Sequence, residues 1–478
     1  MNDKKIVFLT GATGAMGFET LKEFMKYPDR FELRLLVRPS RKNKKKLAHF
    51  MNERGLHIVW GDLTNQNDVE KALGNSEYVL HLGGMVSPMA DHYPDKTMKV
   101  NVVSIKNIIE AVKKRRDSDN VKVIYIGSVA QTSNRMPPKH WGRIGDPVMP
   151  AKFDIYGVSK IRAEWLLANS GLKQWVSLRQ TGILHKDLVF KASDPISFHV
   201  PLNGVLEWAT VEDSARLMVN ICATEKLPET FWRNFYNIGS GQEFRLTNYE
   251  FEKKLMESIG CPPPEKIFER NWFATRNFHG QWYEDSDQLE HIVPFRSNIS
   301  ADDYFKSLAR KMPWWTRLSK IVPSPVIKAV MKRVALKKDL GTLDWLKRSD
   351  CEDRIEAFFG GRKEYDRIED WKEFDRSTPS SQPVRLSHGF DESKPTEKLD
   401  IEDIQKCAEF RGGKCLSSEM ETGNIDKPLE WECGFGHRFI ATPLLILKGG
   451  HWCPECATQW NQEEQAEKNK FLAQLFEK

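Results

Sequence analysis

The sequence predicts an α/β fold: a doubly wound parallel sheet with a smaller substrate region and a small Cys/His-rich unit near the C-terminus. Three observations predict it. Short apolar runs alternate with amphipathic stretches over the first 180 residues. A glycine-rich loop follows the first run. Five of the eight cysteines fall from Cys407 onward.

The candidate strands are Ile6–Leu9, Leu33–Val37, Leu56–Trp60, Tyr78–Leu82, Val121–Ile126 and Trp175–Leu178. Between them lie the amphipathic stretches Thr20–Lys26, Val69–Leu73 and Val103–Lys113. Strand and helix alternating at this spacing give a parallel sheet covered on both faces. Such sheets bind ligands beyond the carboxyl ends of their strands.

The expected organisation is a nucleotide-binding core over 1–185 and a substrate region over 186–300, interleaved with the core. A basic helical segment over 301–350, a Ser/Thr/Pro-rich linker over 376–398 and the Cys/His unit over 401–460 follow. The tail from Gln462 to Lys478 reads as a polar helix. With 40% apolar and 11% aromatic residues, the chain is not wholly disordered. No apolar run reaches the roughly 18–20 residues of a membrane span. The N-terminal apolar stretch is too short for a secretory signal. A cytoplasmic location is therefore expected. The net charge of +6 is uneven: Lys306–Arg348 holds 12 Lys and Arg against Asp339 and Asp344. The basic balance thus describes one segment and does not argue for general nucleic-acid binding.

The first strand leads into Thr10-Gly11-Ala12-Thr13-Gly14-Ala15-Met16-Gly17 and then a helix. Gly11 allows the turn off the strand, Gly14 the approach of a pyrophosphate, and Gly17 close packing of helix on sheet. The helix start offers free N–H groups to phosphate. This is a dinucleotide site. The second strand ends Val37-Arg38-Pro39-Ser40-Arg41 with no acid, which favours NADP(H) over NAD(H). Asp62 and Leu63, after the third strand, lie where a carboxylate accepts from an adenine amine; the alternative for Asp62 is a helix cap. Leu82, Gly83 and Gly84 let backbone lie against the cofactor at the fourth strand end.

Tyr156 and Lys160 share one face of a helix by their i, i+4 spacing. A Lys ammonium beside a phenol is expected to lower its pKa toward neutrality, making Tyr156 a proton donor or acceptor in hydride transfer. Tyr249 and Lys253 repeat the spacing, but inside an ordinary amphipathic stretch, so Tyr249 reads as packing. Ser128 stands at the end of the fifth strand, where its hydroxyl can bond a substrate oxygen. Its alternative is a turn serine.

Taken in order, the glycine loop, Asp62, the small-residue strand end, Ser128 and Tyr156-x-x-x-Lys160 resemble the short-chain dehydrogenase/reductase superfamily, in its extended NAD-dependent epimerase/dehydratase branch. The resemblance covers about 4–300. It implies a Rossmann core, a smaller substrate region and a Ser128–Tyr156–Lys160 mechanism. It further implies that Asn101 begins a helix beside the cofactor, that Gln180 and Thr181 lie near the nicotinamide, and that Asp213 is structural. Leu36-Val37-Arg38-Pro39-Ser40 and His81 look like dihydroflavonol-reductase and 3β-hydroxysteroid-dehydrogenase relatives. Sugar 4,6-dehydratases carry acids just after the catalytic Ser/Thr. Val129-Ala130-Gln131 stands there instead, which disfavours that reaction.

Phe190, Phe198, His199, Trp208, Trp272, Phe273, Phe278, His279, Trp282 and Tyr283 are candidate liners of an apolar, aromatic substrate site, with core packing as the alternative for most. Pro325–Lys338 forms an amphipathic basic helix through Val326, Ile327, Val330, Met331 and Val334. Packing on the core is favoured over contact with an anionic membrane helped by Trp314 and Trp315.

Cys433-x3-His437 and Cys453-x2-Cys456 supply four soft ligands for a closed, structural tetrahedral Zn²⁺. They resemble bacterial zinc-ribbon domains. Cys407 and Cys415 read as buried thiols, and His451 is a substitute ligand at lower odds.

The expected function is oxidoreduction: hydride exchange between NADP(H) and a secondary alcohol or ketone, steroid-like substrates included. The alternatives are a nucleotide-sugar epimerase holding NAD tightly, and a nucleotide-sensing regulator contacting nucleic acid or a partner through the ribbon. A homodimer is left open.

Overall fold

The computed structural model describes residues 4–188 and 194–477. Phe190 lies outside the described residues, as does the side chain of Trp315.

Seven parallel strands form the central sheet. They are β1 (Lys5–Thr10), β2 (Phe31–Val37), β3 (Leu56–Trp60), β4 (Tyr78–His81), β5 (Lys122–Ser128), β6 (Trp175–Gln180) and β7 (Asn234–Ile238). Their spatial order is β7-β6-β5-β4-β1-β2-β3. The order reverses between β1 and β4, and such a switch point opens a crevice at the carboxyl ends of the strands. Six strands fall on the predicted runs. The seventh, Asn-Phe-Tyr-Asn-Ile, was not predicted. It is short, flanked by asparagine, and owes its place to pairing with β6 from Asn234↔Val176 to Ile238↔Gln180.

Helices cover both faces. On one face, α1 (Ala15–Phe24) and α6 (Val211–Ala223) bury Leu21, Phe24, Leu217 and Met218 against Val7, Leu9 and Leu35. On the other, α3 (Gln66–Leu73), α4 (Pro94–Lys113) and α5 (Ile155–Ala168) bury Val69, Ile105, Ile108 and Leu167 against Phe8, Val79 and Val123. Between β2 and β3 runs a short basic helix, α2 (Arg41–Leu47), capped by Ser40. Because α6 and β7 belong to this core, residues 186–300 are interleaved with it. Its distinct part is α7 (Asn248–Ile259) with α8 (Ala301–Lys311), which share a cluster of Phe251, Leu255, Tyr304 and Phe305. Helix α9 (Ser324–Ala335) packs Ile327, Met331 and Val334 on the cluster around Phe268 and Trp272, and leaves Val326 and Val330 exposed. Among the described residues no helix is long and apolar enough to cross a membrane.

The C-terminal unit comprises α10 (Ile401–Phe410), the antiparallel strands β8 (Lys414–Cys415), β9 (Leu429–Glu432) and β10 (Arg438–Ala441), and α11 (Pro443–Leu447). It does not hang from a tether. Trp431, Phe439 and Leu444–Leu447 belong to the same buried cluster as Val123, Leu167 and Trp175 of the nucleotide-binding core. Residues 376–398, expected as a linker, form neither helix nor strand except for a single turn at Thr396–Lys398. They are nonetheless strapped to the core. Ser380 O accepts from Trp141 Nε1 (2.9 Å), His388 bonds Asp146 (3.0 Å), and Glu392 pairs with Arg143. Composition signalled a linker, but polar contacts to distant chain hold the segment in place. The tail is two short helices, Gln462–Lys468 and Lys470–Ala473, with Phe471 and Leu472 buried, rather than one polar helix.

Candidate active site and metal centre

A cavity of about 430 Å³ opens at the switch point. Gly11, Gly14, Ala15, Met16, Gly17, Leu82 and Gly84 line it at the loop end, and Ser128, Tyr156, Lys160, Gln180 and Thr181 line its centre. These are residues from the ends of four strands and the starts of two helices.

The glycine loop is built as its spacing implies. Gly11 has φ +76°, and a Cβ there would stand 2.8 Å from Leu82 O. A Cβ on Gly17 would stand 2.2 Å from Gly11 O, so α1 can lie this close only with glycine. Gly14 is exposed and open above, and leads into the free N–H groups of α1. Thr10, which ends β1, accepts from Gly83 N (3.0 Å) and bonds His81 Nδ1 (2.9 Å). His81 also bonds Ser104 Oγ (3.1 Å), and burial pushes its pKa down to about 3, so it is a neutral brace between strand ends.

Asn101 is placed differently from expectation. Helix α4 starts at Pro94, so Asn101 lies two turns inside it and does not begin it. Its side chain accepts from Met85 N (2.7 Å) and donates to Met85 O (2.9 Å) and Ser159 Oγ (2.8 Å). It clamps the loop after β4 to α5, one residue from Lys160, and is a positioning residue. Asp62 accepts from both Thr64 N and Thr64 Oγ1 at 2.8 Å, a turn that precedes α3, whose cap is Asn65. Arg38 and Arg41 are exposed beyond β2, and Thr13 O accepts from Lys46 Nζ at 3.0 Å.

The Asp154 carboxylate caps α5 by accepting from Gly157 N at 2.8 Å, which sets Tyr156 at the first turn. Ser128 lines the cavity beside Tyr156, and its Oγ accepts from Ala130 N (3.2 Å), so it is both a turn serine and a cavity group. Lys160 Nζ donates to Ile126 O (2.7 Å) and lies 5.9 Å from the centre of the Tyr156 ring. The expected lowering of the phenol is not what this arrangement produces. Burial pushes Tyr156 up to about 12, with the nearby Ser128 side chain opposing the shift. Burial also pushes Lys160 down to about 8, its ammonium being aimed at a carbonyl rather than at the phenol. Tyr156 is therefore a neutral proton donor at pH 7. Tyr249, by contrast, packs in the core and bonds Glu265 (2.5 Å).

The donor set fits a nicotinamide dinucleotide. The glycine cradle and free helix N-terminus suit a pyrophosphate, and the Oε1 atom of Gln180 is buried beside the centre without a partner.

Of the aromatic candidates, Trp208, Phe278 and His279 line the cavity. Phe198, Trp272, Phe273, Trp282 and Tyr283 are buried in cores, and His199 bonds Leu340 O (2.8 Å) against Trp345. Large aromatics serve both purposes, and only long-range packing separates them. Sequence reading missed Asn248, Phe251, Glu252 and Leu255, one face of α7, which line the far end of the cavity.

The second cluster is Cys433, His437, Cys453 and Cys456, whose ligand atoms all lie within 4.8 Å of one another. His437 Nδ1 stands 3.4, 3.5 and 3.3 Å from the sulfurs of Cys433, Cys453 and Cys456. Cys433 and Cys456 Sγ are 3.8 Å apart. Zn–S bonds of about 2.3 Å in a tetrahedron imply S···S edges of about 3.8 Å, so the set fits Zn²⁺. Cys407 and Cys415 lie outside this group, Cys407 buried and bonded by Arg411, Cys415 half-buried. His451 does not ligate. It bonds Glu164 of α5 at 2.7 Å. Glu164 is fully buried and also pairs with Arg179 (2.7 Å), which donates in turn to Gly449 O (2.6 Å). One carboxylate, a helical turn beyond Lys160, thus ties the Cys/His unit to helix α5, which carries Tyr156 and Lys160.

Comparison with known proteins places this geometry. Residues 7–179 match the family model described as NAD dependent epimerase/dehydratase family. A UDP-glucose 4-epimerase of Rickettsia massiliae is 28% identical over 111 residues, 22% of this chain and 32% of that protein. One of Rickettsia bellii is 26% identical over the same shares. The chain thus spans about a third of the length of the curated relatives it matches. Among solved structures, dTDP-glucose 4,6-dehydratase of Streptomyces venezuelae, with NAD and TYD bound, superposes with a TM-score of 0.51 at 18% identity over 67% of this chain and 99% of its own. UDP-glucose 4-epimerase of Bifidobacterium longum, with NAD⁺ and UDP, gives 0.50 at 17% over 66% and 99%. At these identities the likeness is one of fold.

Proposed function

We propose that this chain, whose residues 7–179 belong to the NAD-dependent epimerase/dehydratase family, is an oxidoreductase that exchanges hydride with a secondary alcohol or ketone. A bound nicotinamide dinucleotide supplies the hydride acceptor or donor. Gly11 to Gly17 hold its pyrophosphate, and Arg38 and Arg41 favour the phosphorylated form, NADP(H). Ser128 Oγ orients the substrate oxygen. In the reducing direction Tyr156 Oη would give its proton to that oxygen. In the oxidising direction Tyr156 takes the proton back. Lys160, held by Ile126 O and by α5, stabilises the transient phenolate. The observation that carries this reading is the convergence of Ser128, Tyr156 and Lys160 on the centre of one cavity, with Lys160 one turn from Tyr156 on α5.

The family match and its relatives favour a second reading, epimerisation of a nucleotide sugar by transient oxidation at the same three residues. It differs in leaving no net change in cofactor redox state. Replacing Tyr156 by Phe tests both. Turnover should fall about 10²–10⁴-fold while dinucleotide binding changes little. Undiminished turnover in that variant would remove Tyr156 from the chemistry.

The Cys433–His437–Cys453–Cys456 set is proposed to hold a structural Zn²⁺. The near-tetrahedral spacing supports this, and all four positions are protein groups, leaving none for a substrate. Metal analysis of the purified protein should give one zinc per chain.

A further inference from the structure

Glu252 is a buried carboxyl group on the cavity wall. It lies on α7, is 5% exposed, and has no hydrogen-bond or ion-pair partner among the described residues. It faces the cavity together with Phe251 and Leu255 of the same helix and Trp208, whose ring stacks on Phe251 at 4.4 Å. Native structures rarely leave an interior carboxylate unpaired, because desolvation of the ionised form costs far more than an apolar side chain there would. Burial raises the Glu252 pKa to about 7, so the group is poised between its two forms at neutral pH.

Of the other titratable groups on the cavity wall, His185 is buried and engaged in an interaction of its own, and the rest are committed as follows. Arg135 is buried and spends its donors on Asp146 (3.0 Å), Lys139 O (2.9 Å) and Trp141 O. His279 is paired with Asp154 at 3.1 Å. Lys160 belongs to the catalytic centre. Among the described lining residues no Arg or Lys remains to meet an anionic substrate at the α7 end. A diphosphate ester brings about two negative charges, and placing it in an apolar lobe beside a carboxylate is opposed by repulsion and desolvation together.

We propose that Glu252 is a specificity-determining residue, and that the substrate is a largely apolar, non-anionic ketone or alcohol carrying a second hydrogen-bond donor distal to the reacting carbon, rather than a nucleoside-diphosphate sugar. The carboxylate accepts from that distal hydroxyl or amine, while Phe251, Leu255 and Trp208 cover the apolar body. This rests on the hydride-transfer reading above, and it differs from that reading in being about binding rather than chemistry.

The test is equilibrium binding by tryptophan fluorescence to protein saturated with NADPH. The probes are two ketone pairs differing only in a distal hydroxyl: 4′-hydroxyacetophenone with acetophenone, and 5α-dihydrotestosterone with 5α-androstan-3-one. UDP-glucose is the anionic probe. In at least one pair the hydroxylated member should bind about tenfold or more tightly than its partner. That preference should strengthen as pH rises through 7 and shrink to about twofold in Glu252→Leu. UDP-glucose should bind the wild-type chain at least 100-fold more weakly than the better hydroxyl probe. UDP-glucose binding as tightly as that probe would overturn the proposal. So would equal binding within both pairs, a preference surviving in Glu252→Leu, or no binding of any ketone. Tight, Glu252-dependent binding without NADPH oxidation would instead sink the hydride-transfer reading and leave the recognition standing. The variant's fold is checked by its retained NADPH affinity, since α7 lies outside the glycine loop.

Discussion

Tyr156 with Lys160, and Cys433 with His437, Cys453 and Cys456, are both made by residues three or four apart, yet they behave oppositely in the fold. The first pair faces a cavity and leaves polar capacity over: a neutral phenol, an ammonium bonded to Ile126 O, and the Oε1 of Gln180 nearby, unpartnered among the described residues. The second set turns inward, each ligand atom spent on the others. An open cluster suits something that arrives and leaves; a closed one suits something that stays. The difference also separates chemistry from stability, except at Glu164. There a single buried carboxylate serves His451 beside the closed set and Arg179 beside the open one. The C-terminal unit is accordingly part of the protein's core and not an appended module.

The strongest way to break that contrast is to open the closed cluster. Cys453→Ser, or prolonged chelation, should remove metal and lower the unfolding temperature by far more than any cavity substitution, because binding energy at a structural zinc is folding energy. Circular dichroism melting checks it. A melting curve indifferent to metal would show the C-terminal unit to be held by apolar packing alone.

Next comes the bridge. Glu164→Gln leaves Arg179 buried without its counter-charge, and should cost about 3–5 kcal/mol of stability by urea denaturation. If the variant unfolds at the wild-type midpoint, the carboxylate does not join the two clusters energetically.

Smaller effects sharpen the open cluster. Burial has pushed Lys160 down to about 8, so its ammonium is lost as pH rises past that value. Turnover should therefore decline above about pH 8. The same shift means that folding forces a charged Lys160 into a poor environment at low pH. Its contribution to stability thus improves as pH rises from about 8 toward the ordinary lysine value. A pH–rate profile flat from 7 to 10 would detach Lys160 from the chemistry. The smallest expected change is in Arg38→Ala, which should weaken NADPH about tenfold and NADH hardly at all. Equal losses for both cofactors would assign Arg38 no role at the 2′-phosphate.

What sequence could reveal follows from range. The strands β1 to β6, the glycine loop and the Tyr156–Lys160 spacing are local, set by side-chain period and backbone permission, and they were legible. Strand β7 was not, because Asn234–Ile238 becomes a strand only by pairing with β6. Glu252 was hidden in a helix that reads as ordinary amphipathic sequence, since its isolation becomes visible only once the cavity is formed. The Cys/His cluster was legible as a spacing, whereas the docking of its unit was not: His451 and Glu164 are 287 residues apart. The Lys160 effect on Tyr156 was misjudged for a related reason. Spacing put the two on one face but said nothing of burial, which sets both pKa values here.

The most direct test of the account is the nucleotide retained by the purified protein and its exchange. The account predicts a site that takes up NADPH reversibly, in preference to NADH, and loses neither property in Tyr156→Phe. Stoichiometric NAD that does not exchange would contradict it and put epimerisation first.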